Sequence, residues 1–333
     1  MRLDKGEFVK SKLNAGLDLL KMIAIFSVIV IHMPLVDADA RATVLRYLPY
    51  GTACFALLAG WFMFGLVSAS EEISSFKEWV RKRCERLLLP YIVWTTIHLS
   101  LTFGLAIIKG EFIWPTALDW YHYIFCGHGA TQLWFVISLF YAQMAVAMLV
   151  LCRCSPLLLF LTGIASVYGM TFMTNDCAFR NHIFMLGLVS LGLAARLIAE
   201  SEKVKSLFSC NSVKVLMAIG CGAVIVLSYS VSFGPLWLLP VFAWCLMFGM
   251  LGKLIQSPTP SHPNSSISPL LHLSMGIYLT HWLVTRAVIK PLMPLVIRFC
   301  GDGIGVILAM SLLVLVLSGI LTYLLRAHKW LVG

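Results

Sequence analysis

The sequence predicts an all-α polytopic membrane protein, a single bundle of about ten transmembrane helices. Of its 333 residues, 60% are hydrophobic and 12% are charged, a balance outside the range of soluble globular domains. Runs such as 17–36 and 304–325 are long enough to cross about 30 Å of hydrocarbon as helices. Because no stretch remains for a soluble domain, residues 1–333 are interpreted as one transmembrane domain.

The predicted helices follow from apolar runs that are interrupted by charge, proline or polar clusters. They cover residues 17–36, 48–69, 88–108, 131–152, 156–173, 181–199, 214–232, 235–255, 269–289 and 303–325. The Pro- and Ser-rich segment Ser257–Pro269 is predicted to be a flexible inner connector, and the aromatic segment Lys109–Ala130 to lie in the outer membrane interface.

The distribution of basic residues predicts the orientation. With the N-terminus inside, 18 of the 25 Lys and Arg residues fall on the inner side and 7 on the outer side. Because basic loops stay cytoplasmic, both termini are predicted to be cytoplasmic.

The net charge of +10 at pH 7 does not indicate nucleic-acid binding, because the cations lie in short segments between apolar runs. The ten cysteines show no CxxC pair or regular spacing, so neither a metal site nor a disulfide framework is predicted. No resident cofactor is expected.

Three ionisable residues of the first span, Asp18, Lys21 and His32, form a polar stripe. Lys21 and His32 are three helical turns apart, so they point within roughly 20° of each other and lie ~16 Å apart along the axis. Such a stripe must face protein or water. A neutral imidazole can take a proton from a hydroxyl and return it to a leaving group, which favours a catalytic role for His32. The alternative is an interfacial Asp18–Lys21 pair and a histidine that merely ends the helix before Pro34.

Five segments carry a family resemblance: Leu17–His32 (LDLLKMIAIFSVIVIH), Phe55–Phe64 (FALLAGWFMF), Arg81–Trp94 (RKRCERLLLPYIVW), Leu133–Leu139 (LWFVISL) and Ser274–Trp282 (SMGIYLTHW). In this order they resemble the acyltransferase 3 family, whose hallmark is a basic residue separated by ten residues from a histidine, as Lys21 is from His32. Ala59 stands where that family commonly has serine, so no hydroxyl role is expected there.

The resemblance implies a membrane O-acyltransferase that takes an acyl group from cytoplasmic acyl-CoA, commonly acetyl-CoA. The implied acceptor is a hydroxyl of an envelope polysaccharide or lipid-linked glycan, such as lipopolysaccharide O-antigen, at a bacterial inner membrane. His32 is then the catalytic residue. Lys21, Arg86, Arg83 and Lys82 are expected to bind the coenzyme A phosphates, although the positive-inside rule alone also predicts such a basic loop.

Further candidate substrate contacts are Asp18, Trp134, Tyr278 and His281, whose alternatives are packed side chains or interfacial anchors. The pattern from His32 to Asp37 also matches an HxxxxD motif of glycerolipid acyltransferases, which need a soluble catalytic domain that this chain lacks. The main rival function is a transporter or flippase for a lipid-linked glycan. A proton-coupled carrier, however, places carboxylates in mid-span, and no predicted span has one. A second rival, a structural subunit, leaves the polar stripe unexplained.

Overall fold

A computed structural model describes residues 15–34, 37–48, 50–70, 72–130, 132–174, 179–230, 237–255 and 273–332. Within these ranges the regular structure is helical throughout and contains no strand. The connector predicted over Ser257–Pro269 lies outside the described residues.

The described residues of the first half form the α-helices α1 (Ala15–Ile31), α2 (Ala38–Arg46), α3 (Gly51–Trp61), α4 (Gly65–Ala69), α5 (Ile73–Arg83), α6 (Leu89–Lys109), α7 (Ala117–Phe125) and α8 (Leu133–Leu151). The second half contains α9 (Pro156–Gly169), α10 (Arg180–Ala199), α11 (Glu202–Leu207), α12 (Asn211–Ser230), α13 (Leu238–Ile255), α14 (Ser274–Val284), α15 (Lys290–Cys300), α16 (Ile304–Leu325) and α17 (Lys329–Val332).

Six helical segments of the described chain are long and apolar enough to cross a membrane, by length and composition: Ala38–Val67, Ile73–Lys109, Leu133–Leu151, Arg180–Ala199, Asn211–Tyr229 and Ile304–Leu325. Two shorter apolar helices are Pro156–Phe172 and Leu238–Leu251. The prediction of an all-helical membrane protein is therefore confirmed. The number of ten crossings and the cytoplasmic termini stay predictions.

Helices also occupy segments that were predicted to be connections, notably α2, α5, α7 and α15. The largest difference concerns the predicted span 269–289. In the structure, α14 continues through a π turn, Thr285–Ile289, into α15 and ends only at Cys300. The basic residues Arg286, Lys290 and Arg298 lie on the exposed side of this helical segment. His281 therefore lies in the first third of a long helix rather than near its outer end.

Each of the two π turns in the described ranges precedes a proline. Cys84–Leu88 joins α5 to α6 just before Pro90, and Thr285–Ile289 joins α14 to α15 just before Pro291. A proline within a helix has no N–H to donate, and its ring collides with the carbonyl four residues earlier. One wider turn moves that carbonyl aside, so the helix continues past the proline.

The packing of α1 places the site. This helix contacts α3, α13, α14 and α16, and its residues Ile25, Ile29 and Met33 join an apolar cluster with side chains of α14 and α16. Close approach to α3 depends on Gly51, where a Cβ atom would lie 2.3 Å from the Ala24 carbonyl oxygen. The helix is thus held on several sides along its length.

Candidate active site

His32 lies directly after the last residue of α1. Its backbone N–H reaches the carbonyl oxygens of Val28, at 3.3 Å, and Ile29, at 3.0 Å. The helical hydrogen bonding therefore extends to His32 before the chain turns away at Pro34. The imidazole is held at the end of a packed helix rather than on a free loop.

His32 meets His281 of α14. The two ring centroids are 5.6 Å apart, with 36° between the ring planes. His281 is fully buried, and its Nδ1 lies 2.6 Å from the carbonyl oxygen of Tyr278. A carbonyl oxygen can only accept, so Nδ1 carries the proton of this hydrogen bond. The other nitrogen, Nε2, is buried without a hydrogen-bond partner among the described residues.

Tyr278 connects this pair to α8. Its hydroxyl donates to the backbone carbonyl of Gln132 at 2.9 Å, and its ring lies 5.5 Å from that of His281. The side-chain amide of Gln132 in turn lies 3.3 Å from Nε2 of His98 on α6. Three helices therefore meet in one buried polar layer. The sequence analysis did not single out Gln132, although a polar amide at the start of the predicted span 131–152 was a signal for it.

Two polar residues after α1 are also fixed by the structure. Asp37 accepts a hydrogen bond from the backbone N–H of Ala40 at 2.8 Å and thereby caps the N-terminus of α2. The carboxylate of the HxxxxD pattern is thus used by a helix cap. Arg41 of α2 lies close enough to His32 to act on it electrostatically.

Asp18 and Lys21 form a salt bridge of 2.8 Å towards the other end of α1. The Asp18 side chain is 7% exposed and that of Lys21 is 22% exposed. The ammonium group of Lys21 also lies 4.7 Å from the centroid of the Phe62 ring. The second carboxylate oxygen of Asp18, Oδ2, is buried without a hydrogen-bond partner in the described part of the chain.

The basic residues around the first π turn fall into two groups. Arg81 is bound by Glu78 and Glu85, each at 2.7 Å, and Lys82 lies 3.4 Å from Glu78. By contrast, no carboxylate pairs with Arg83 or Arg86 within the described ranges. Arg83 lies 5.1 Å from the Trp79 ring centroid, and the Arg83 and Arg86 guanidinium groups are close enough to repel each other.

Arg86 is exposed and lies within the π turn Cys84–Leu88. Two adjacent cations without carboxylate partners form a site that an anion would stabilise. Lys21 stands on a different helix, and its recorded contacts are with Asp18 and Phe62.

Trp134, another candidate from the sequence, has a packing role in this structure. It is half-buried in the main apolar core, and its ring lies 6.1 Å from that of Phe135. Its backbone lies against Gly127, which has a φ of 75° and where a Cβ atom would come within 2.3 Å of the Trp134 Cα. The structure brings together His32, His281 and Tyr278. Trp134 instead packs against the loop that precedes α8.

The comparison with known families gives a match over nearly the whole chain. The acyltransferase 3 model, described as an acyltransferase domain, matches residues 14–324. The chain belongs to this family. No curated protein and no solved structure matches it. The acyltransferase 3 protein described here is therefore a membrane acyltransferase, and the match covers His32, Lys21, both π turns and the His281 helix.

Proposed function

We propose that this protein is an O-acyltransferase of a bacterial inner membrane that transfers an acetyl group from cytoplasmic acetyl-CoA to a hydroxyl of an envelope polysaccharide or lipid-linked glycan. The observation that carries the proposal is the pairing of half-buried His32 with fully buried His281 in a chain of the acyltransferase 3 family. Family membership also favours acyl transfer over the flippase alternative. The O-antigen of lipopolysaccharide is one acceptor of the proposed class.

The proposed reaction needs one base and one acid at the same place. The acceptor hydroxyl oxygen attacks the carbonyl carbon of the acetyl thioester while His32 takes the hydroxyl proton. The new C–O ester bond forms, the C–S bond breaks, and His32 returns the proton to the thiolate of coenzyme A. The products are the acetylated glycan and free coenzyme A.

Donor binding is assigned to the cations. Arg83 and Arg86 have charges that no carboxylate of the described residues neutralises, so they are the stronger candidates for the coenzyme A phosphates. Lys82 is partly neutralised by Glu78. Lys21 can still offer N–H groups, because its bond to Asp18 uses one of the three.

The proposed arrangement uses the length of α1. Coenzyme A is held at the Lys21 end, on the cytoplasmic side, and the glycan hydroxyl arrives at the His32 end. Lys21 and His32 are ~16 Å apart along the helix, so an extended thioester arm has to span this distance. Tyr278 is assigned to the acceptor side and Asp18 to the donor side. The arrangement uses the proposed topology, in which the chain crosses the membrane ten times and both termini are cytoplasmic.

The deciding experiment is an acetyl-transfer assay. Purified protein in detergent or liposomes is incubated with radiolabelled acetyl-CoA and a panel of envelope glycans, and label in the glycan and release of free thiol are both measured. We expect the two signals to appear together, in equal amounts, only when the correct acceptor is present. Glycan translocation in liposomes without any label transfer would overturn the proposal in favour of a flippase.

A further inference from the structure

We propose that His281 is a positioning residue for His32: its Nε2 accepts a hydrogen bond from a ring N–H of His32 and thereby directs the other His32 nitrogen, as a free base, towards the acceptor hydroxyl. This inference rests on the proposed function of His32. It adds a second histidine with a specific task, one that His281 performs without touching the substrate.

The tautomer of His281 follows from its own helix. Nδ1 lies 2.6 Å from the Tyr278 carbonyl oxygen and must donate to it. In the neutral ring Nε2 is then an acceptor with no hydrogen. Because this nitrogen is buried without a described partner, it leaves an unsatisfied acceptor at a position where desolvation is costly.

The ring of His32 is close enough to supply the missing hydrogen. A hydrogen bond of about 3 Å between two ring nitrogens places the ring centroids roughly 5 Å apart, once the ring radii are added. The observed separation is 5.6 Å with a tilt of 36°. The two rings are therefore near the separation that such a bond requires, and the bond forms when a ring N–H of His32 turns towards Nε2 of His281.

His281 is the more firmly held partner of the two. Its carbonyl oxygen accepts from the Thr285 hydroxyl at 2.7 Å, directly at the start of the π turn. The hydroxyl of the preceding residue, Thr280, lies 3.3 Å from that of Thr322 on α16. The Tyr278 hydroxyl is bound to the Gln132 carbonyl of α8. A ring fixed to this extent can define the orientation of His32, which stands at a helix end.

The other charged and titratable groups around His32 and His281 do not replace His281 as the acceptor for the His32 ring N–H. Arg41 of α2 acts on His32 only as a cation and cannot accept its N–H. His98 of α6 faces Trp282, on another side of α14, and Arg286 lies over the same indole ring. The α16 groups at this level are the uncharged Ser318 and Thr322.

The reaction makes use of this bond twice. With one N–H held by His281, the neutral His32 ring presents an unprotonated nitrogen to the hydroxyl. When His32 takes the proton and becomes an imidazolium, its bond to Nε2 strengthens, because the donor is then charged. His281 thus stabilises the charge that develops during the transfer.

The test compares two substitutions of similar size. His281→Gln can keep a side-chain acceptor near the position of Nε2, whereas His281→Met keeps the volume and removes the acceptor. His182→Gln is the matched control, since His182 is a half-buried histidine of α10 whose ring nitrogen contacts the Ser138 hydroxyl at 2.7 Å. The kcat and KM for acetyl-CoA, the pH profile of kcat/KM and the accumulation in membranes are measured for all three.

We expect His281→Met to lower kcat by about 10- to 100-fold, the usual cost of losing such an orienting partner, with an unchanged KM for acetyl-CoA. In this variant the acidic limb of the pH profile of kcat/KM should move to lower pH, because the protonated form of His32 has lost a stabilising acceptor. His281→Gln should recover most of kcat and the position of the acidic limb.

Equal losses of kcat in His281→Met and His281→Gln, with the pH profile of the wild-type protein, would show that His281 has only a packing role and would overturn the proposal. A wild-type kcat in His281→Met would also overturn it. If instead the wild-type protein transfers no acetyl group, the proposed function is overturned, and with it the role of His281 that rests on it. The two failures are therefore distinguishable.

Discussion

The two ends of α1 carry the candidate chemistry in opposite electrostatic settings. At one end, half-buried His32 meets fully buried His281, whose Nε2 has no hydrogen-bond partner among the described residues. At the other end, Lys21 is paired with Asp18 at 2.8 Å, and one Asp18 carboxylate oxygen has no hydrogen-bond partner in the described part of the chain. An open acceptor next to His32 can orient its ring, whereas a formed ion pair indicates structure first and binding second.

The largest expected effect is at the histidine end. His32→Ala should lower the rate of acetyl transfer by ~100-fold to ~10,000-fold, the range for the loss of a general base. The protein should still accumulate in the membrane, because α1 is held by its apolar packing. The exposed His128→Ala is a suitable control and should keep wild-type transfer. Activity in His32→Ala close to that of the control would remove His32 from the mechanism.

The next effect concerns the basic residues near the first π turn. Arg83→Ala and Arg86→Ala should each raise the KM for acetyl-CoA by about 10- to 100-fold, since a hydrogen bond to a charged group contributes about 1.5–3 kcal/mol. Arg86→Lys should keep part of the affinity, because the charge remains while the bidentate geometry is lost.

Arg81→Ala is the matched control for these variants. Its guanidinium group is already bound by Glu78 and Glu85, so its loss should leave the KM for acetyl-CoA nearly unchanged. The KM for the glycan should not change in any of the four. A selective rise of the glycan KM would mean that the two ends of the site are reversed.

The sequence predicted the membrane class and the family, because composition and motif order are properties of the chain alone. It also predicted the stripe of Asp18, Lys21 and His32, since residues eleven positions apart share a helix face. The contact between His32 and His281 could not be predicted, because it depends on how α1 and α14 pack.

The predicted span 269–289 ends before the helical segment does, because Lys290 and the following prolines interrupt the apolar run there. A helix with one exposed side accommodates Lys290, and the π turn allows it to continue past Pro291. Gln132 was missed for a related reason. Its importance comes from the Tyr278 and His98 side chains that reach it from two other helices.

A smaller effect is expected at the Lys21 end. Lys21→Ala leaves the buried Asp18 carboxylate without its cation, which should cost about 1–3 kcal/mol of stability and reduce accumulation. The double variant with Asp18→Asn should restore accumulation, because no unpaired charge remains. If Lys21 also binds the donor, the double variant should keep a KM for acetyl-CoA raised by roughly two- to fivefold. A wild-type KM in the double variant would limit Lys21 to a structural role.

The smallest perturbation tests which membrane face each end of α1 meets, and it needs no substitution. Among the described residues, three native cysteines are exposed at helix ends: Cys152 after α8, Cys210 before α12 and Cys300 at the end of α15. With cytoplasmic termini, Cys300 lies outside and the other two lie inside. An impermeant maleimide should therefore label Cys300 in right-side-out vesicles and the other two in inverted vesicles, with peptide mass spectrometry as the readout.

Cys210 makes this last measurement sensitive. The backbone N–H groups of Val213 and Ser212 lower the pKa of its thiol, so more of it is thiolate near neutral pH and it reacts faster with maleimide. Slow or absent labelling of Cys210 in right-side-out vesicles at pH 7 then reflects protection by the membrane rather than low reactivity. Dissolving the vesicles in detergent serves as the control, because all three cysteines should then be labelled fully. Rapid labelling of Cys210 in intact right-side-out vesicles would invert the orientation and place the donor cations on the side assigned to the glycan.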